Sequence, residues 1–314
     1  MSFSGMVKEE LSKQISTARH CRIAETAALL CACGRLTAGG KLRFQTENDA
    51  VIRKYFTLLQ KTFNIDTEIA VRENCQMKRG NVYFMEIADP EKIRTILQGT
   101  KLTADKTGDS FYAGNSLLTQ QSCCKRAFIR GAFLASGSIS DPEKGYHFEI
   151  VCPEAKKAEQ LRDLIGSFQI DAKIVLRKRS YVVYVKEGAQ IVDILAVMEA
   201  NVALMNLENI RILKEMRNSV NRKVNCETAN INKTVSAAVK QIEDIRLIEE
   251  TVGFGSLKEG LSEIAELRLL YPEATLKELG TMLTPQVGKS GVNHRLRKLS
   301  EIADELRAHK EELL

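Results

Sequence analysis

The sequence predicts an α+β fold: a duplicated αββαββα domain with pseudo-twofold symmetry, followed by an all-α domain. Three observations carry this: two helical segments with matching stripes of small residues, a repeated order of elements after each, and the loss of strand signal beyond residue 200. Arg22 to Gly34 reads RIAETAALLCACG and Lys125 to Gly137 reads KRAFIRGAFLASG. A shift of 103 positions maps Ala24 onto Ala127, Ala28 onto Gly131, Ala32 onto Ala135 and Gly34 onto Gly137. Small residues at every fourth position share one helix face, which lets a second backbone come close. Two such faces predict a packed helix pair. Phe63-Asn-Ile-Asp-Thr-Glu-Ile-Ala-Val-Arg72 also returns as Phe168-Gln-Ile-Asp-Ala-Lys-Ile-Val-Leu-Arg177, at an offset of 105, which supports a duplication.

After the first small-striped helix, Gly39-Gly40 separates two short runs. The second, Lys41 to Glu47, alternates Leu42 and Phe44 with polar residues, as a hairpin with one wet face does. Asp49 to Phe63 is an amphipathic helix through Ile52, Phe56, Leu59 and Phe63. Strands follow over Glu68 to Glu73 and Val82 to Ile87, joined by the polar Asn74 to Asn81. Asp89-Pro90 reads as N-cap and first-turn proline of a helix ending before Gly99. Thr100 to Gln121 is polar and irregular, and links the halves.

The second half repeats this order. Its first helix ends at Gly137, a hairpin turns at Asp141 to Gly145, and Tyr146 to Val151 alternates. Pro153 opens a helix to Phe168, strands span Lys173 to Lys178 and Tyr181 to Glu187, and Ala189 to Ala200 closes the unit. Each sheet is expected to bury one face under helices and to leave the other exposed, bearing Arg43, Arg72 and Arg177. The predicted divisions are 1–99 and 122–200 for the halves, 100–121 for the linker and 201–314 for the helical domain.

Net charge is +6, from 46 basic and 40 acidic residues. That excess is too small to indicate nucleic acid by itself. Beyond residue 200 the two signs balance at 17 each, so any basic surface there is local. The first residues carry Lys8, Glu9, Glu10 and Lys13 without an apolar h-region, and no apolar run reaches membrane-spanning length. The expectation is a soluble, cytoplasmic protein. Among eight cysteines the close pairs are Cys31/Cys33 and Cys123/Cys124, neither spaced to a second pair as in a zinc finger. The four histidines are scattered. Reduced, mostly buried thiols and no metal or cofactor are therefore expected.

In the helical domain, Ile210 to Val220 and Thr234 to Thr251 read as helices. Overlapping the end of the first, Met216 to Cys226 holds Arg217, Arg222 and Lys223 with Asn218, Asn221 and Asn225 and no acid. Cations neutralise phosphates, and asparagine amides bond phosphates or adenine edges; a solvated, capped helix junction is the plainer alternative. Leu261 to Tyr271 is a helix stopped by Pro272, and Thr275-Leu-Lys-Glu278 is a capping box that opens a short helix. Thr284 to Gly288 breaks it, and Ser290 is the expected N-cap of a long helix. On that helix Val292, Leu296, Leu299 and Ala303 point inward. Asn293, His294, Arg297 and Lys298 fall outward at about 100° per residue, with Arg295 flanking. No acid occurs between Glu278 and Glu301. Residues 275–308 thus have the layout of a helix-turn-helix, with Lys289 and Ser290 at the start of its outer helix.

The duplicated αββαββα unit, with small residues on its paired helices and a glycine ending each, resembles the LAGLIDADG homing endonuclease fold. The resemblance implies a saddle over DNA and, before each helix-ending glycine, an acid that holds the metals for strand cleavage. Cys33 and Ser136 stand at those positions, and neither offers the carboxylate a hard cation requires. No catalytic residues are therefore expected.

Met1-Ser-Phe-Ser with Val7-Lys-Glu-Glu-Leu11, Arg217-Asn-Ser-Val-Asn-Arg222, Asn225-Cys-Glu-Thr-Ala-Asn-Ile-Asn-Lys-Thr234 and Gly288-Lys-Ser-Gly-Val-Asn-His-Arg-Leu-Arg-Lys298 extend the likeness along the whole chain. With them the sequence resembles the bacterial WhiA family. That resemblance implies a nucleoid-associated regulator that binds double-stranded DNA through a region like the promoter-reading part of sigma factors. It also implies roles in cell division, chromosome segregation and, in filamentous actinobacteria, sporulation. RNA polymerase, a sigma factor or another regulator would be the protein partner. An active homing endonuclease, and an interaction module whose C-terminal domain alone touches DNA, are the competing readings.

Overall fold

A computed structural model describes residues 2–72, 81–105, 108, 110–113 and 116–312 of the chain. It begins with a helix absent from the predicted elements, α1 (Phe3–Lys13), whose Phe3, Val7 and Leu11 are buried at i, i+4 and i+8. The Ser2 hydroxyl caps it, accepting from Gly5 N at 3.1 Å. The first half then runs α2 (Arg19–Cys33), β1 (Gly34–Leu36), β2 (Leu42–Thr46), α3 (Asp49–Phe63), β3 (Ile69–Arg72), β4 (Val82–Ile87) and α4 (Pro90–Thr100). Asn48 and Asp89 cap α3 and α4 through their side chains. The expected strand end at Glu73 and the connection over 74–80 lie outside the described residues. Helix α4 passes through Gly99, contrary to expectation. A Cβ on Gly99 would stand 2.6 Å from the Phe63 ring, so this glycine serves close packing while Lys101 takes the left-handed turn.

The expected irregular linker contains a hairpin, β5 (Thr103–Ala104) with β6 (Phe111–Tyr112), and a 3-10 turn over Ser116–Thr119. Phe111 is fully buried. Residues 106, 107, 109, 114 and 115 of this segment lie outside those described. The second half runs α5 (Ser122–Ser136), β7 (Gly137–Ile139), β8 (Phe148–Cys152), α6 (Ala155–Gly166), β9 (Lys173–Arg177), β10 (Ser180–Val185) and α7 (Gly188–Met198). Its sheet order, β7-β8-β10-β9, repeats the β1-β2-β4-β3 order of the first sheet.

Helices α2 and α5 pack against each other as the stripes predict. A Cβ on Gly131 would stand 2.7 Å from Glu25 O and 2.9 Å from the Ala28 Cβ. Ala24, Ala28 and Ala127 are buried, whereas Ala32 is exposed. Beside the contact lies a buried ionic cluster that the pattern of small residues does not announce. Glu25 pairs with Lys54 at 2.9 Å and with Arg130 at 3.1 Å, and Arg130 reaches Glu199 at 2.7 Å. The Lys54 ammonium also donates to the carbonyls of Leu11 and Gln14, so the cluster joins α1, α2, α3 and α5.

Helix α8 (Asn201–Thr251) is a single element of 51 residues, where two separate helices are expected from the sequence. The segment contains neither proline nor glycine, and low-propensity asparagines alone do not interrupt a helix. Its first turn is capped by Glu10, whose carboxylate accepts from Val202 N and Ala203 N at 2.8 and 3.0 Å. The chain divides into compact units after Glu215, so the start of α8, with Ala203 and Leu207 in the main core, belongs to the first.

The second unit holds the rest of α8, a 3-10 turn at Phe254–Ser256, α9 (Glu259–Leu270), α10 (Leu276–Met282) and α11 (Lys289–Glu312). Ile245, Ile248, Ile264, Leu279, Leu283, Val292, Leu296, Leu299 and Ala303 form its core, none more than 2% exposed. This core is separate from that of the duplicated unit.

Candidate nucleic-acid interface

Local chemistry shapes the turn between α10 and α11. Thr275 and Glu278 make the predicted capping box: the Thr275 hydroxyl accepts from Glu278 N, and the Glu278 carboxylate from Thr275 N at 2.7 Å. Those donated hydrogen bonds hold the Glu278 carboxyl below its ordinary pKa. A Cβ on Gly280 would lie 2.1 Å from the Val287 carbonyl oxygen, so only glycine lets the turn fold back onto α10. Glu263 on α9 accepts from Thr284 N at 2.9 Å. Buried Arg268 donates to Gln241 of α8 and to the carbonyls of Pro272 and Ala274. This clamps the entry to α10 against two other helices.

On this frame α11 presents Lys289, Ser290, Asn293, His294, Arg297 and Lys298 to solvent, while Val292, Leu296 and Leu299 face inward. The outer face is therefore as expected, with two corrections at its edge. Helix α11 begins at Lys289, so Ser290 sits in the first turn and is not the N-cap. Arg295 is half-buried and its guanidinium donates to Gly260 O at 3.2 Å, which anchors α11 to α9. Arg297 makes an exposed i,i+4 pair with Glu301 at 3.3 Å; such a pair is worth only about 0–1 kcal/mol and releases its cation readily.

A second polar group lies along α8. Arg217, Asn221, Arg222, Lys223 and Asn225 are all exposed, and none joins an ion pair among the described residues. Arg217, Asn221 and Asn225 follow i, i+4, i+8 and share a face, whereas Arg222 and Lys223 leave the helix on other sides. Met216, Val220, Val224, Ile231 and Val235 are exposed on the same helix.

The sheet arginines are mostly neutralised, contrary to what an open anion-binding saddle needs. Arg43 pairs with Glu86, its cross-strand neighbour. Arg177 pairs at 3.1 Å with Glu149, which also meets His147 at 3.0 Å. Arg72 is exposed, with its guanidinium 6.0 Å from the centre of the Phe84 ring. At the ends of the paired helices, Cys33 and Ser136 are the last residues of α2 and α5. Loss of hydration on packing pushes the Cys33 thiol up to about 12 against the opposing influence of Lys8. The Ser136 hydroxyl donates to Ala132 O. A protonated thiol and a helix-bonded hydroxyl are poor donors for a hard divalent cation.

The expectation that no histidine joins a group of potential ligands is corrected by the structure. His20, Cys21, Cys123 and Cys124 converge at the other end of the helix pair. Sequence spacing conceals the group because its members lie about 100 residues apart and meet through the pseudo-twofold packing.

These features define a class: a helix-turn-helix protein carrying a duplicated LAGLIDADG-like unit that lacks carboxylates at its two helix ends. Residues 19–103 match the WhiA N-terminal LAGLIDADG-like domain, 125–217 the WhiA LAGLIDADG-like domain and 220–303 the WhiA C-terminal HTH domain. The chain belongs to the WhiA family. It is 59% identical over 312 residues to the Probable cell division protein WhiA of Lachnoclostridium phytofermentans, covering 98% of this chain and 100% of that protein. The protein of the same description from Alkaliphilus oremlandii is 51% identical over 318 residues, covering 99% of each chain. The crystal structure of full-length WhiA from Thermotoga maritima is 26% identical and aligns with a TM-score of 0.60 over 97% of this chain and 99% of that one.

Proposed function

We propose that this chain is a non-enzymatic, sequence-preferring binder of double-stranded DNA that regulates transcription in cell division, chromosome segregation and, where the host sporulates, sporulation. The observation that carries the reading is the outer face of α11, where Asn293, His294, Arg297 and Lys298 stand exposed on a helix whose inner face is locked into a core. Rigid placement of such side chains at the start of the second helix is what base-edge readout requires. Lys289, Ser290 and the α8 group around Arg217 supply phosphate contacts. Such a protein works in the cytoplasm on the nucleoid, with RNA polymerase, a sigma factor or another regulator as its protein partner. The relatives' description as cell division proteins supports the biological setting.

The test is competition binding of the full chain to a site recovered by genome-wide immunoprecipitation, against a scrambled duplex. A bidentate base contact discriminates by about 1–3 kcal/mol, whereas a phosphate contact is blind to sequence. Arg297→Ala is expected to weaken the specific site more than the scrambled one, and Lys298→Ala to weaken both alike. Equal losses for Arg297→Ala would remove it as a base reader.

Neutralisation of Arg43 and Arg177 favours a narrower form, in which the C-terminal unit alone holds DNA and the duplicated unit is an interaction module. The non-enzymatic part rests on Cys33 and Ser136. Supercoiled plasmid carrying the binding site is expected to stay intact with Mg²⁺ or Mn²⁺. Metal-dependent cleavage at one site, lost in a Cys33→Ala/Ser136→Ala variant, would overturn it.

A further inference from the structure

Four side chains able to ligate a metal meet at the N-terminal ends of the paired helices. His20 and Cys21 lie in the first turn of α2, Cys123 and Cys124 in the first turn of α5. The shift of 103 positions that relates the helices maps His20 onto Cys123 and Cys21 onto Cys124. Each half therefore contributes two donors, arranged about the pseudo-twofold axis. His20 Nδ1 is 3.1 Å from Cys124 Sγ, 3.4 Å from Cys21 Sγ and 4.0 Å from Cys123 Sγ. All four donor atoms lie within 4.8 Å of one another. Cys21 and Cys124 are buried against Ala24 and Ala127, while His20 and Cys123 are exposed.

Tetrahedral zinc, with bonds of about 2.3 Å to sulfur and 2.0 Å to nitrogen, sets its donors roughly 3.5–3.8 Å apart. The separations to His20 straddle that value, so small side-chain adjustments complete the tetrahedron. We infer that His20, Cys21, Cys123 and Cys124 form a structural zinc site that ties the two halves of the duplicated unit together. The chemistry of the donors selects the ion: three soft thiolates and an imidazole suit zinc, and the set has no oxygen for a hard cation. Four protein ligands leave no open position, which makes the site structural and not catalytic. On binding, Zn²⁺ replaces the three thiol protons, which pass to solvent, and the site carries a net charge of −1. Free backbone N–H groups at both helix starts favour that charge. Neither α2 nor α5 has a side-chain cap or an acid in its first turn to compete for them.

The full chain, expressed without a histidine tag in zinc-supplemented medium and dialysed, tests this directly. Elemental analysis is expected to find about one zinc per chain, and X-ray absorption to find roughly three sulfur neighbours and one nitrogen. Exchange with Co²⁺ should give the visible bands of tetrahedral cobalt and a thiolate charge-transfer band. Cys21→Ser/Cys124→Ser should lose the metal, and Cys226→Ser, on α8, should keep it. His20→Cys should keep zinc and change the shell to four sulfurs, a readout that survives if the double variant fails to fold. Three results overturn the proposal: freely alkylated thiols with little metal in the native chain, a disulfide within the group shown by peptide mapping, or a zinc shell that does not gain a sulfur in His20→Cys.

Discussion

Glu25 joins the buried charges in the interior of the duplicated unit, so a single change there acts on several partners. Its carboxylate is fully buried and serves two cations, the Lys54 ammonium and the Arg130 guanidinium, which are themselves buried. Removing the shared anion leaves two cations out of water with carbonyl oxygens and Glu199 as their remaining partners. Loss of one partner from a buried pair costs about 3–5 kcal/mol. Glu25→Ala is therefore expected to shift the urea midpoint by a corresponding amount, with Glu25→Gln intermediate because its amide oxygen still accepts. A change below about 1 kcal/mol in Glu25→Ala would show that water reaches the cluster and that the pair is solvated.

At the scale of elements, glycines mark where two backbones meet. Gly131 sits under the Glu25 carbonyl and Gly280 under the Val287 carbonyl, whereas a Cβ on Gly166, at the end of α6, meets nothing within 4 Å. Overpacking costs roughly 1–3 kcal/mol. Gly131→Ala is expected to destabilise the duplicated unit, and Gly280→Ala to disturb the helix-turn-helix and its DNA affinity. Gly166→Ala, which meets no neighbour and needs no positive φ, should leave binding unchanged and raise stability by about 0.4–1 kcal/mol through the lower entropy of the unfolded chain. The capping box is a second device of this kind. Thr275→Ala removes the hydroxyl that accepts from Glu278 N, and cap removal costs about 0.5–2 kcal/mol. The Glu278 pKa is depressed in the folded chain, so its stabilising effect is present above the unfolded carboxyl pKa. The effect is lost as pH falls through the lower folded value, and circular dichroism melts on the acid side should show that loss shrinking in Thr275→Ala.

For the whole molecule, the distribution of paired and unpaired cations makes a prediction that net charge does not. The affinity of the full chain for duplex DNA should fall by roughly 0.9 log unit per contacted phosphate for each log unit of salt. Arg217→Ala should reduce that slope by about one phosphate, because Arg217 is exposed and free of ion pairs among the described residues. Arg43→Ala and Arg177→Ala should leave the slope unchanged, since Glu86 and Glu149 already satisfy them. Titrations at several salt concentrations check both. A reduced slope in the sheet variants would return the saddle to the DNA surface.

Periodicity and local signals made most of the architecture legible. Small residues at fourfold spacing announced the α2–α5 contact, alternation announced the sheets, and the capping box with the acid-free run to Glu301 announced the helix-turn-helix and its outer face. These are properties of short segments, set by backbone geometry and by which side chains water rejects, so they can be read along the chain. Phe3, Val7 and Leu11 of α1 carry the same kind of signal in their i, i+4, i+8 spacing, although no helix is expected there from the sequence. The expected division of α8 into two helices has no breaker behind it and does not occur. Other features could not be read in this way. The use of Arg295 as an anchor to Gly260, the neutralisation of Arg43 and Arg177, the Glu25–Lys54–Arg130 cluster and the meeting of His20 and Cys21 with Cys123 and Cys124 all depend on groups distant in sequence. Whether a charge is free to bind a partner, or a thiol has another donor beside it, depends on the few ångströms around its tip. Those ångströms are set by how separate helices and strands pack, and the tertiary structure alone decided them.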